Sequence, residues 1–318
     1  MRMVAVVLGG GVGQRVGAGM PKQLLTLGGK TLVEHCVAAF DQAPGIDEIL
    51  VVMARGYTGQ VKATLTDAGY RKVTAVIEGG ATRPDSTRAA LAAIAATAPA
   101  TAGSAPGATA GSAPGATAGS APGATPGTAP GATPGTAPGT APGTAPGTAP
   151  GATPGTAPGD CGVLLHDAAR PLVDQRIIAD CVAALRVHDA AGVAVPASDT
   201  MVITGNGVMQ SMPRRETLLR CQTPQCFRLS VITRAHELAA ADPAFTATDD
   251  CGVVLRYLPD VGVHIVPGSE RNIKITYAQD LAVAEALLAR GDVLARGDPA
   301  SPGGDPPEPP ASPLRFSP

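Results

Sequence analysis

Apolar and polar positions along the chain alternate between two rhythms. Met3–Leu8 is an unbroken apolar run, which predicts a strand buried on both faces of a parallel sheet. Glycines crowd residues 9–19 and predict a turn. From Thr31 the spacing becomes helical, with Leu32, Val33, Cys36, Val37 and Phe40 on one face. Asp47–Met53 and Val73–Ile77 predict two more strands, and a helix from about Asp85 to Ala96 turns Leu91 and Ile94 inward. Gly162–His166 predicts a strand and Asp174–Val187 a helix that buries Ile177, Ile178, Cys181, Val182 and Leu185. Gly192–Pro196, Val263–Pro267 and Ile273–Thr276 predict strands, and Asp280–Ala289 a capped closing helix. This alternation predicts an α/β fold, a Rossmann-like and mostly parallel sheet with helices on both faces. Residues 201–215 break the rhythm. Met201–Thr204 and Val208–Met212 flank Gly205-Asn206-Gly207, the pattern of an antiparallel hairpin projecting from the main sheet as an arm.

Two stretches have no such pattern. Residues 99–159 are almost wholly Ala, Pro, Gly and Thr with some Ser, and 291–318 are rich in Pro and Gly. Without large apolar groups neither offsets its ordering entropy, so both are expected to be disordered. Glycine does not recur at every third position, which excludes collagen. Lengthening a loop from about 6 to about 60 residues costs only roughly 2 kcal/mol of closure entropy. The 99–159 tract is therefore read as an insertion within one domain formed by 1–98 and 160–290. Without both stretches about 230 residues remain, a comfortable size for one α/β domain.

Composition narrows the classes of function. A net charge of -2 gives no basic face for nucleic acid. The 6 cysteines stand apart without a C-x-x-C pair, so zinc and thiol–disulfide chemistry lack their usual spacing. Reduced core cysteines suit a cytoplasmic protein. No signal peptide is expected, and no stretch approaches the roughly 20 apolar residues of a membrane span.

Candidate chemistry begins at Leu8-Gly9-Gly10-Gly11-Val12-Gly13-Gln14-Arg15, followed by Pro21-Lys22-Gln23. A glycine-rich turn after a buried strand lets backbone N–H groups approach phosphate oxygens, and Arg15 and Lys22 add positive charge there. A dinucleotide fingerprint fails, since the third glycine position holds Val16 or Gln14 depending on the starting glycine. A Walker A loop fails as well, since Leu24 stands where Gly29-Lys30-Thr31 would need a preceding glycine. Further clusters follow at Gly79-Gly80-Ala81-Thr82-Arg83-Pro84-Asp85-Ser86, His166-Asp167-Ala168-Ala169-Arg170-Pro171, Asp199-Thr200, Arg214-Arg215, Gln222-Thr223-Pro224-Gln225 and Asn272-Ile273-Lys274-Ile275-Thr276. Several lie beyond predicted strand ends, where open α/β sheets bind ligands. Each also has a plain structural reading: His166 a satisfied strand-end histidine, Arg170 a structural cation, Asp167 a helix cap, Arg214-Arg215 a solvated pair, and Thr248-Asp249-Asp250 a helix start.

In this order the clusters closely resemble the cytidylyltransferases that act on methylerythritol phosphate. The resemblance covers residues 1–98 and 160–290. It implies a nucleotidyltransferase type A-like fold and transfer of CMP from CTP to a polyol phosphate, with Mg²⁺ as cofactor and a homodimer formed through the hairpin arm. It also implies residue roles. Backbone at Gly9, Gly10, Gly11, Gly80 and Ala81, with the Ser86 hydroxyl, would bind CTP at its cytosine. Arg15, Lys22 and Lys274 would surround the α-phosphate, and Asp167 would hold Mg²⁺. Thr200 and Arg215 would bind the substrate phosphate, Arg215 from a second subunit. Two departures stand out: Leu8-Gly9-Gly10-Gly11 replaces the Pro-Ala-Ala-Gly of many members, and Ala81 replaces a common acidic residue. Related ribitol phosphate enzymes often begin Leu-Ala-Gly-Gly, so ribitol phosphate stays open as the acceptor. A nucleotide-binding module without catalysis is a further alternative.

Overall fold

The computed structural model describes residues 1–10, 20–97, 161–242 and 244–296, with 291–296 described by their backbone alone. All of these fall in one compact unit. The expected insertion at 99–159 and most of the expected tail lie outside the described residues.

In chain order the elements are β1 (Met3–Gly9), β2 (Thr26–Leu27), β3 (Lys30–Thr31), α1 (Leu32–Gln42), β4 (Glu48–Met53), α2 (Thr58–Asp67), β5 (Val73–Glu78), α3 (Arg83–Ala96), β6 (Gly162–Asp167), α4 (Gln175–Val187), β7 (Ala190–Pro196), β8 (Ile203–Gly205), β9 (Val208–Ser211), β10 (Leu219–Arg228), α5 (Leu229–Ala240), α6 (Asp250–Tyr257), β11 (Val263–Pro267) and α7 (Ala278–Arg296). Seven strands form the main sheet in the order β11-β7-β10-β6-β1-β4-β5. All neighbours pair in parallel except β10, which runs antiparallel to both β6 and β7.

The period of two along β1 builds the two cores. Met3, Ala5 and Val7 point to one face, where Val33, Val37 and Phe40 of α1, Val61 and Leu65 of α2, and Ile177 and Cys181 of α4 cover them. Val4, Val6 and Leu8 point to the other, against Ala90, Leu91 and Ile94 of α3 and residues of α5 and α6. Helix starts follow their capping chemistry. Thr31 and Thr82 each close a capping box, with Glu34 and Asp85 respectively, while Asp174 and Asp249 accept N–H groups of the first turns of α4 and α6. Gly28 and Gly29 both have positive φ, which suits the two-residue turn joining β2 to β3. Gly29-Lys30-Thr31 thus serves a hairpin and a helix cap, in keeping with the rejected Walker A reading.

Three expectations need correction. Ile273–Thr276 forms no strand, because its backbone groups bond elsewhere: Ile275 N–H donates to Ala169 O and Ile275 O accepts from Lys22. Helix α7 continues to Arg296, past the boundary expected at 290. Strand β10 occupies a stretch read only as a motif, because its Gln222, Thr223, Pro224 and Gln225 interrupt any apolar pattern. Those polar side chains are buried nonetheless, and the β10–β7 register shifts between Cys221 and Gln225.

Candidate active site

From β1 the chain steps outward to β4 and β5, then returns to place β6 on the other side of β1. The reversal makes a crevice beyond the carboxyl ends of β1 and β6, the position at which open α/β sheets hold ligands. A cavity of about 190 Å³ lies there, lined by Leu8, Gly10, Lys22, Gln23, Ala81, Thr82, Arg83, Ser86, Asp167, Ala169 and Lys274. Of the residues expected at a site, this groups Gly10, Lys22, Ala81, Ser86, Asp167 and Lys274. Gly11 and Arg15 lie outside the described residues.

The glycines do more than leave room for a ligand. A Cβ on Gly10 would meet Ser86 Oγ at 2.6 Å, and one on Gly80 would fall 2.1 Å from Asp85 Cβ. Gly9 is shut in by Met53, whose sulfur would lie 2.6 Å from an added Cβ. Neither Gly9 nor Gly80 is among the residues that line the cavity. The Ser86 hydroxyl sits within reach of Thr82 O at 3.1 Å.

Asp167 is the electrostatic centre. Its Oδ2 lies 2.7 Å from Lys274 Nζ and its Oδ1 3.5 Å from Arg83 Nε. Burial alone would raise its pKa, but Arg83 and Lys274 outweigh burial and hold the carboxyl well below the usual carboxylate range. Arg83 is itself anchored: its Nη1 lies 2.5 Å from Asp250 Oδ2, and Asp250 Oδ1 lies 3.0 Å from His236 Nε2. Gln225 Oε1 accepts the N–H groups of Asp250 and Cys251. Sequence reasoning did not single out Arg83, although the cluster at 79–86 contains it. Its partner Asp250 stands 167 positions away.

His166 takes the structural role. Nε2 lies 3.0 Å from Arg170 O, which can only accept, so that nitrogen carries the proton. Nδ1 then accepts from the Thr223 hydroxyl at 3.0 Å, and Thr223 Oγ1 accepts from the Asp167 N–H at 3.1 Å. Burial lowers the His166 pKa to about 4, so the ring is neutral at pH 7. Arg170 donates to Asn272 O at 2.7 Å and Cys221 O at 3.3 Å, which ties β6, β10 and the 272–276 segment together. Thr200 and Arg215 lie elsewhere, joined to each other by a 2.9 Å bond from Arg215 Nη2 to Thr200 Oγ1 on an exposed surface.

No group of three or more His, Cys, Asp and Glu among the described residues could form a metal cage. A single ionised carboxylate at the cavity is the donor set that suits Mg²⁺ held mostly by phosphates.

Residues 3–102 and 153–290 match the family described as IspD: 2-C-methyl-D-erythritol 4-phosphate cytidylyltransferase. The chain belongs to this family. A cytidylyltransferase of that name from Thermobifida fusca is 41% identical over 295 residues, covering 91% of this chain and 94% of its own length. The bifunctional ribulose 5-phosphate reductase/CDP-ribitol pyrophosphorylase of Haemophilus influenzae is 30% identical and covers 90% of this chain, with 48% of its own length matched. In three dimensions the chain is similar to the 4-diphosphocytidyl-2C-methyl-D-erythritol synthase of Anaerococcus prevotii, with a TM-score of 0.63 and 22% identity over 91% of this chain and 96% of the other. That likeness bears on fold alone, and it agrees with the mostly parallel sheet that cytidylyltransferases of this family carry.

Proposed function

We propose that the chain transfers CMP from CTP to 2-C-methyl-D-erythritol 4-phosphate, releasing pyrophosphate, in the synthesis of isoprenoid precursors. The observation that carries this reading is Asp167 and Lys274 paired in the lining of a cavity that Lys22 also lines, in a chain of this family. The incoming phosphate oxygen attacks the α-phosphorus in line as the bond to pyrophosphate breaks, so no covalent nucleophile is needed. Lys22, Lys274 and Arg15 gather negative oxygens of the triphosphate and stabilise the charge that builds during displacement. Gly10, Ala81 and Ser86 shape the wall where the base would rest. When bound, Mg²⁺ would supply charge neutralisation between the phosphates, and Asp167 would be its protein ligand.

Thr200 and Arg215 would grip the acceptor phosphate, the guanidinium bidentately. Since they do not line the cavity with Lys22, their reading requires a second subunit to bring them to it. The hairpin β8–β9 supports this with an unpartnered apolar surface: Met201, Ile203, Val208, Met209 and Met212 are all more than half exposed. A homodimer through that arm would bury them. No helix among the described residues is long and apolar enough to cross a membrane.

Ribitol 5-phosphate is the second reading, favoured by the Haemophilus influenzae relative. Purified protein offered CTP and Mg²⁺ with each polyol phosphate, with pyrophosphate release followed, separates the two. Methylerythritol phosphate is expected to give a kcat/KM at least about tenfold higher, a gap of roughly 1.4 kcal/mol. A preference for ribitol phosphate would overturn the acceptor and leave cytidylyl transfer standing.

A further inference from the structure

Ile275 joins three features of the molecule. Its side chain is wholly buried in a satellite core of Leu27, Leu32 and Ala284, against which Leu281 and Leu288 of α7 pack. Its N–H donates to Ala169 O at 2.8 Å, two residues beyond Asp167. Its C=O accepts from Lys22 Nζ at 2.8 Å, while the adjacent Lys274 pairs with Asp167 at 2.7 Å. The segment around it has no strand partner. Its path is fixed by the satellite core on one side, at its entry by Asn272, whose O accepts from Arg170 at 2.7 Å and whose Nδ2 donates to Thr223 O at 2.9 Å, and at its exit by Asp280, which accepts from the N–H groups of Thr276 and Tyr277 at 2.7 and 2.8 Å.

We propose that Ile275 is a positioning residue: its burial in the satellite core sets the separation of the Lys22 and Lys274 ammonium groups across the cavity. This rests on the reading of both lysines as phosphate-holding groups. Each ammonium rides on a flexible four-carbon stem and cannot fix its own position. A displacement of about 1 Å at such a site costs about 10²-fold in rate. The Ile275 backbone supplies a constraint by holding the Lys22 ammonium directly and by placing the preceding residue, Lys274, against Asp167. The constraint originates outside the cavity, in contacts among β2, the first residue of α1, and α7.

The test is a set of double-mutant comparisons. Ile275→Ala, and separately Leu288→Ala on the far side of the satellite core, are expected to lower kcat by about 10- to 100-fold. Ile275→Val is expected to restore kcat to within about threefold of wild type, since it keeps most of the buried volume. The deciding measurement repeats Ile275→Ala in a Lys22→Ala/Lys274→Ala background. If Ile275 acts through the lysines, it changes the residual kcat there by less than about twofold. An equal fall in both backgrounds overturns the proposal, as does wild-type turnover of folded Ile275→Ala and Leu288→Ala proteins. Should Ile275→Ala fail to fold, Ile275→Val and Leu288→Ala are compared across the same two backgrounds, with the same outcomes deciding. Wild-type turnover in the lysine variants alone would instead refute the reading of those lysines.

Discussion

At Asp167 burial and neighbouring charge pull in opposite directions, and charge prevails. Its pKa is depressed, so its pairing contributes stability that is fully present above the ordinary aspartate value of about 3.9 and is lost as pH falls through the folded value. His166 adds a second acid limb. With a folded pKa lowered to about 4, it binds its proton more readily when unfolded, so stability is expected to decline as pH falls from about 6.5 to about 4, by on the order of 3 kcal/mol. Urea unfolding across that range measures the limb, and His166→Gln is expected to flatten it; an unchanged slope would count against His166 as its source. Lys22→Ala and Lys274→Ala are each expected to lower kcat about 10²–10⁴-fold; the melting temperature should stay near wild type in Lys22→Ala and fall in Lys274→Ala, which takes a partner from the buried Asp167. Asp250→Asn removes the closer of two carboxylates paired with Arg83 and leaves Asp167. It is expected to cost about 1.5–3 kcal/mol, read from the urea midpoint, and to slow turnover as Arg83 turns towards Asp167. A midpoint within experimental error of wild type would argue against the Asp250 anchor. Lys22 and Asp167, which line one cavity, stood out as candidates because charge beside a glycine turn or a strand end is a local pattern, whereas Lys274 was named through the order of motifs. Arg83 was not singled out, because the partner that gives it meaning lies far along the chain.

Helices α1 and α4 were legible from their 3.6-residue spacing and α3 turns Leu91 and Ile94 inward as expected, whereas α5, which buries Ile232, Ala235 and His236, was not read despite its apolar face. Helix α2 was missed because only Val61 and Leu65 are buried along it, too little for a readable face. Strand β10 escaped because its buried Gln222, Thr223 and Gln225 are polar and break the apolar pattern before Cys226 and Phe227, while side-chain and loop partners satisfy them, as where Gln222 Nε2 donates to Ser269 O and Gln225 Nε2 to Asp249. The alternation of Ile273 and Ile275 suggested a strand, yet this segment's bonds go to a loop carbonyl and a lysine. The hairpin β8–β9 was read correctly from Gly205-Asn206-Gly207, whose Asn206 and Gly207 both have positive φ. Replacing Val208, Met209 and Met212 together by Ser is expected to convert the protein to a monomer by light scattering. If Arg215 acts at a partner's site, mixing Arg215→Ala with Lys22→Ala protein is expected to restore part of the activity, and the same three Ser substitutions to abolish that restoration. A monomeric wild type would refute the arm as a dimer contact.

For the whole molecule, the 99–159 tract is expected to act as a loop closure within one domain. Its flanks are both tied to Arg2: the guanidinium donates to Thr97 Oγ1 at 3.1 Å, and Gly162 N–H donates to Arg2 O at 2.9 Å. A short Gly/Ser loop in place of residues 99–159 is therefore expected to leave kcat unchanged and to raise stability by no more than roughly 2 kcal/mol. Loss of folding or turnover would assign the tract a structural role. By itself the sequence determined the strands and helices with clear apolar patterns, such as β1, α1, β4 and α4, the faces they bury, the hairpin and the order of the motifs. All of these follow from periodicity, turn residues and capping, which act over a few residues. Tertiary structure decided the strand order, the antiparallel place of β10 and the meeting of Lys22 with Ile275 across 253 positions. Such contacts depend on which buried surfaces pack together, and no local spacing records that choice.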